Sequence, residues 1–285
     1  MKDYALVLAA DLPTPREVLS MVKIVGPVLD GIKVAVSTML ESTTDILGRI
    51  RDEIGSKPLL VDLKVADIGF PTHSGWQGTN AKIIGKLANS GATHVTVHGF
   101  PGPVSVAEAV GAGQEAGIGV LLLPLMSHAG ARLFFSRPME RTDLIYACEK
   151  AGLKLKFPDL PCSDVTEGIL LLGEALNVDG YIGPATRPHD LQRYRSITRR
   201  PLWCPGFGRQ DRQGRGVEEQ FRQWAEIVGP SSAAIVGSAV FKAANPLAAA
   251  EELVKIRDAA VEHATAEGIE NRSEPHSKTG SQTIA

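Results

Sequence analysis

The sequence predicts a closed (β/α)8 barrel of the TIM type, built as a single domain with insertions after the third and fifth strands. Three observations predict it. The chain has 285 residues, 44% of them hydrophobic, enough for one barrel domain of about 250 residues. Apolar runs of strand length alternate with helical stretches, and strict alternation implies a parallel sheet. The runs number eight, each followed by a helix, which favours closure over an open sheet.

The elements follow in order. YALVLAA (4–10) reads as the first strand. The helix after it takes Thr14 as N-cap and Pro15 at its first position, where a missing N–H costs nothing. GIKVAV (31–36) is the second strand, and the helix over 42–55 is stopped by Gly55. PLLVDLKV (58–65) is the third strand, followed by a polar loop over 69–79 and a helix over 80–91. HVTVHGF (94–100), GVLLLPLM (119–126), GYIGP (180–184), PLWCPG (201–206) and AAIVG (233–237) complete the strands. Helices are predicted over 104–116, 165–176, 189–197, 217–228 and 246–264. The stretch from Arg132 to Gly180 is too long for one crossover and has room for extra helices such as DLIYACEKAG. The barrel is expected to span 1–265, with the polar stretch 266–285 disordered.

Composition excludes several classes. Thirty basic residues against thirty-two acidic give a formal charge of −2, without the basic footprint of a nucleic-acid binder. No apolar run reaches the ~18 residues of a membrane span, and MKDYALVLAADLPTP is too charged for a signal segment. Cys148, Cys162 and Cys204 show no CxxC or Cys/His metal spacing. Reduced thiols in a cytoplasmic protein are the expectation.

The chemistry concentrates in VDLKVADIGF (61–70). An unpaired charge in a buried strand costs several kcal/mol, roughly, yet this one carries Asp62, Lys64 and Asp67. Side chains alternate along a strand, so Asp62 and Lys64 share one face while Val61, Leu63 and Val65 share the other. The aliphatic face suits the helices. The charges then point inward, near the C-terminal mouth where such barrels hold their active sites. Asp67 follows at the loop edge. Asp11 ends the first strand and Lys33 lies within the second, so Asp11, Lys33, Asp62, Lys64 and Asp67 form a row of alternating sign that tolerates burial as a network. A packing salt bridge between Asp62 and Lys64 is the plain alternative, but such pairs are weak stabilisers, which favours function.

The pattern D-x-K-x-x-D-I, formed by Asp62, Lys64, Asp67 and Ile68, resembles the orotidine 5′-phosphate decarboxylase family. TVHGFPG (96–102), MSHAGA (126–131), GPATRP (183–188), PGFGRQ (205–210) and IVGSAVFKAANPLAAA (235–250) follow in that family's order. Together they cover almost the whole chain except the tail and the extra segments. D-x-K-x-x-D alone is shared with sugar-phosphate decarboxylases and aldolases of the same suprafamily; the ordered set is more specific. The resemblance implies roles. Lys64 protonates the pyrimidine carbon that loses carbon dioxide, Asp62 sits against the departing carboxylate, and Lys33 positions both. Asp11 binds ribose hydroxyls and Ser127 the pyrimidine amide. Asp67, with Thr79 of TNAKI (79–83), reaches the partner subunit's site, which implies a homodimer with shared active sites. Orotidine 5′-monophosphate is the implied substrate and UMP the product, with no metal or cofactor.

The barrel rule places a phosphate in the loops after strands seven and eight. PGFGRQ and VGSA supply glycines there, letting backbone N–H groups approach phosphate oxygens. Pro205, Gly206, Gln210, Gly237 and Ser238 are the expected contacts. The chain departs from the family at Ser238, where an arginine is usual. Arg209 is expected to replace that cation, whereas Arg212 and Arg215 read equally well as a solvated charge run. The loop GFPTHSGWQG, with His73 and Trp76, is a second departure and reads as a cover for the mouth. His98 and His128 are read as core residues. A metal-dependent sugar-phosphate enzyme would want another acid at the end of the second strand, and KVAVSTML supplies none before Glu41. A silent nucleotide-binding barrel would not need all five charges.

Overall fold

The computed structural model describes residues 2–42, 45–70, 77–208 and 214–273. Eight parallel strands close into a barrel in sequence order, with the last returning to the first. The first half runs β1 (Ala5–Ala9), α1 (Pro15–Val25), β2 (Gly31–Ala35), α2 (Val36–Ser42), α3 (Asp45–Ile54), β3 (Leu59–Val65), α4 (Thr79–Asn89), β4 (His94–His98), α5 (Pro103–Ala116) and β5 (Gly119–Leu123). A short 3-10 turn (Ala129–Ala131), α6 (Arg132–Phe135), α7 (Arg141–Lys150) and α8 (Val165–Leu176) then precede β6 (Gly180–Ile182). The remainder is α9 (Pro188–Ile197), β7 (Leu202–Pro205), α10 (Val217–Val228), β8 (Ala233–Val236), α11 (Ser238–Phe241) and α12 (Pro246–Ser273).

All eight expected strands form. At α1 the Thr14 hydroxyl accepts from the Glu17 N–H while the Glu17 carboxylate accepts from the Thr14 N–H, which satisfies two orphan donors of the first turn. Val18, Leu19, Val22 and Val25 then fall on one buried stripe. Gly55 ends α3 at φ +60, the left-handed conformation that glycine adopts without strain.

The helix expected over 42–55 forms as α3, and VSTMLES adds an unexpected helix, α2, directly after β2 without a glycine to announce it. The long crossover holds two extra helices before α8, as expected, and α7 contains DLIYACEK. The C-terminal boundary is corrected. Helix α12 continues past residue 265 to Ser273; residues 274–285, with most of the expected tail, lie outside the described residues. So do His73 and Trp76 of the loop after β3.

Strand alternation sorts the core into two shells. Leu6, Leu8, Ile32, Val34 and Val61 face the helices, while Ala5, Val7, Leu60, Leu121, Trp203 and Ile235 fill the barrel interior. Among the described residues no helix is long and apolar enough to cross a membrane. At the N-terminal end of the barrel, His94 packs on Trp203 with ring centroids 4.9 Å apart. Burial pushes the His94 imidazole down to about 4.

That shift has a measurable consequence. In the unfolded chain a histidine takes a proton near 6.5; in the fold His94 takes one only near pH 4. Between those values the unfolded state binds the extra proton, so stability falls as pH is lowered through this window, by at most about 1.4 kcal/mol per pH unit. His94→Gln is expected to flatten the urea-midpoint profile between pH 6.5 and pH 4. An unchanged profile would place the acid sensitivity elsewhere.

Candidate active site

The site begins with strand register. Lys33 of β2 lies beside Ala9, and Asp62 of β3 lies beside Ala35. Because Ile32 and Val34 are taken by the outer shell, Lys33 faces inward; Leu60, Asp62 and Lys64 share the inner face of β3 for the same reason. Lys33 Nζ lies 3.0 Å from Asp11 Oδ1 and 3.4 Å from Asp62 Oδ2. Lys64 Nζ lies 2.8 Å from Asp62 Oδ1. The four expected groups thus form a continuous chain of opposite charges, with Lys33 and Asp62 in its shielded middle and Lys64 and Asp11 at its more open ends. Burial pushes the Asp62 carboxyl up, but the ammonium groups of Lys33 and Lys64 and hydrogen bonds from Lys64 and Thr96 outweigh it and hold Asp62 below the ordinary carboxylate value.

β3 is not ideal where this happens. Lys64 adopts φ +50, a conformation uncommon for residues other than glycine, and the β3–β4 register shifts between Val61 and Val65. The Lys64 N–H donates to Thr96 Oγ1 at 2.8 Å, and Thr96 Oγ1 donates to Asp62 Oδ1 at 2.9 Å.

Asp11, Lys33, Asp62 and Lys64 line a cavity of about 1010 Å³ at the C-terminal mouth. Ser127, Pro205, Gly206, Gly237 and Ser238 line the same cavity, so the expected base-binding and phosphate-loop residues meet the charged row. Gly206 sits at φ +121, and a Cβ there would come within 2.7 Å of the Thr186 methyl. Only glycine lets that loop approach the β6 loop so closely. Among the described residues no three His, Cys, Asp or Glu side chains gather as a metal-binding group.

Asp67 and Thr79 do not join them. Both are exposed and neither lines the cavity. The Asp67 backbone is nevertheless fixed: its N–H donates to Asn80 Oδ1 at 3.0 Å, and its carbonyl accepts from Asn80 Nδ2 at 3.0 Å and Ser105 Oγ at 2.6 Å. Arg209, Gln210 and Arg212 lie outside the described residues. Arg215 is half-buried and donates to Gln223, which corrects its reading as a solvated charge. His98 is a core residue as expected: it stacks on Phe135 at 5.4 Å, and burial, then the Lys64 charge, lowers it to about 4. His128 is not; it is exposed and lines the cavity.

The sequence reading missed Thr96 and Arg187 as cavity residues. Thr96 had a signal: it lies between Val95 and Val97 on the inward alternation of β4. Arg187 had less. It donates to the Met126 carbonyl at 3.2 Å and pairs with Asp190, which Arg132 also reaches at 2.6 Å, and these contacts join segments far apart in the chain.

A family model decides what this arrangement belongs to. Residues 4–253 match the model described as the orotidine 5′-phosphate decarboxylase / HUMPS family. The chain belongs to this family. A relative named orotidine 5′-phosphate decarboxylase from Methanocaldococcus jannaschii is 27% identical over 241 residues, covering 85% of this chain and 92% of that one. One of the same name from Thermococcus kodakarensis is 28% identical over 255 residues, covering 89% and 96%. The crystal structure of the M. jannaschii enzyme complexed with the inhibitor BMP superposes with a TM-score of 0.70 at 26% identity, covering 90% of this chain and 99% of that one.

Proposed function

We propose that the protein converts orotidine 5′-monophosphate to UMP and carbon dioxide in de novo pyrimidine biosynthesis, without metal or organic cofactor. The observation that carries this is the Lys64 ammonium held 2.8 Å from Asp62 inside a cavity that the two glycine loops also line. The substrate carboxylate enters beside Asp62, which remains anionic and disfavours it there. The bond from pyrimidine C6 to the carboxylate breaks, the electron pair stays on C6, and carbon dioxide leaves. Lys64 stabilises the carbanion as it forms and then gives C6 a proton, to be reprotonated from solvent. A preorganised ammonium in a water-poor site is worth far more to such a carbanion than one in bulk water. Lys33, bonded to Asp11 and Asp62, holds the row in register.

The remaining roles follow the cavity wall. Asp11 takes the ribose hydroxyls and Ser127 the pyrimidine amide. The phosphate lies at Pro205, Gly206, Gly237 and Ser238, with Arg209 and Gln210 completing the loop after β7. Its binding energy is realised far from the breaking bond and is available to order the site.

We further propose a cytoplasmic homodimer. Phe100, Leu133 and Phe134, 61%, 66% and 67% exposed, line one apolar hollow after β4 and β5, and Ile68, 72% exposed, directly follows Asp67 after β3. Clustered exposed apolar side chains mark an association surface, and an isologous pairing there carries Asp67 and Thr79 toward the partner's cavity. The described cysteines form no disulfide, in keeping with a reducing compartment.

Two experiments test this. Lys64→Ala is expected to lower kcat by several powers of ten, at about 1.4 kcal/mol per tenfold, while the variant still folds; near-normal kcat contradicts the proposed proton donor. Lys64→Ala and Asp67→Ala are each expected to be inactive alone and to regain activity when mixed, since a mixed dimer holds one intact site. No recovery, with subunit exchange demonstrated, contradicts shared sites.

A further inference from the structure

Thr96 is a polar side chain on the inner face of β4, 1% exposed. Valine, of nearly the same shape, would fill that space without a polar atom. The hydroxyl therefore has work beyond packing, and its two hydrogen bonds say what it is. It accepts the backbone N–H of Lys64 at 2.8 Å and donates to Asp62 Oδ1 at 2.9 Å. A threonine hydroxyl has one proton; with that proton given to Asp62, none is left for a substrate.

The Lys64 N–H sits where the β3–β4 register shifts and φ is +50. Strained backbone of this kind persists only where its surroundings over-determine it, and a bulge redirects the side chain it carries. Thr96 supplies the acceptor at that bulge. It also shares Asp62 Oδ1 with Lys64 Nζ, at 2.8 Å, leaving Oδ2 with the longer 3.4 Å contact to Lys33. One hydroxyl thus ties the backbone of the proton donor to the carboxylate beside it. We infer that Thr96 is a positioning residue for the decarboxylation, clamping the bulge of Lys64 to Asp62 so that the ammonium–carboxylate pair is set before substrate binds. The inference rests on the proposed function for its catalytic meaning, and on the geometry alone for the clamp. The charged and titratable groups around the clamp are Lys33 on β2, with Asp11 behind it, Lys64 on β3 and His98 on β4.

Thr96→Val and Thr96→Ser in the full-length protein test it. Thr96→Val is expected to lower kcat by about ten- to a hundredfold, the loss typical of a hydrogen bond to a charged group, with KM and UMP affinity changed less than about threefold. Thr96→Ser should recover most of the rate. The Asp62 carboxyl, followed by 13C NMR without substrate and assigned with Asp62→Asn, should titrate at higher pH in Thr96→Val because its anion has lost a donor. If Thr96→Val does not fold, Thr96→Ala serves in its place. Unchanged kcat in the hydroxyl-free variant, a loss confined to KM, or equal loss in Thr96→Ser overturns the inference. Absence of turnover in the unaltered protein would fail the proposed function instead, and the Asp62 titration would then decide the clamp: an upward shift supports it and no shift overturns it.

Discussion

Asp62 stays ionised inside the barrel because an ammonium group flanks it on each side, and the rest of the site depends on that arrangement. Burial alone would push a carboxyl in this position upward, toward its neutral form. Lys33 and Lys64 prevent this, and Asp62 in turn keeps two cations close together in a shielded interior. Removing Asp62 would leave Lys64 without its partner in the row and Lys33 with Asp11 alone, so the carboxylate is the member on which the others depend. The barrel supplies what the row needs: three adjacent parallel strands whose inner faces end at the same mouth, held in fixed register.

The same constraint accounts for the local irregularity of β3. Lys64 must carry its ammonium to Asp62 Oδ1, two residues away on the same strand, and regular alternation does not by itself bring the two that close. The left-handed backbone at Lys64 and the register shift opposite β4 accompany this contact, and Thr96 bonds to both ends of it. Fold and chemistry meet at that bulge, where a departure from ideal strand geometry sits beside the group assigned the proton transfer.

Much of this was legible in the sequence because periodicity and charge speak locally. Eight apolar runs separated by helical stretches led to the closed sheet, and the period of two in VDLKV put Asp62 and Lys64 on the inner face without any structure. Asp11 and Lys33 could be added because Asp11 closes the first apolar run and Lys33 interrupts the second. What stayed hidden depends on contacts between distant segments or on backbone conformation. Helix α2 has no glycine to announce it. The positive φ of Lys64 breaks no residue preference that a reader could see. Thr96 looked like an ordinary β-branched strand residue, and the sharing of Asp190 by Arg132 and Arg187 joins three separate segments. His128 was misread because a histidine after a strand looks alike whether it faces the core or the cavity.

The matching family's description names HUMPS beside the decarboxylase. The claim that a row of lysines and aspartates supplies the whole electrostatic machinery is therefore tested most directly on the unaltered protein after exhaustive treatment with EDTA. Orotidine 5′-monophosphate should be consumed at an undiminished rate, yielding UMP and carbon dioxide in equal amounts. Turnover that is lost on chelation and restored by a divalent cation would contradict the account, as would consumption of a sugar phosphate with none of the nucleotide.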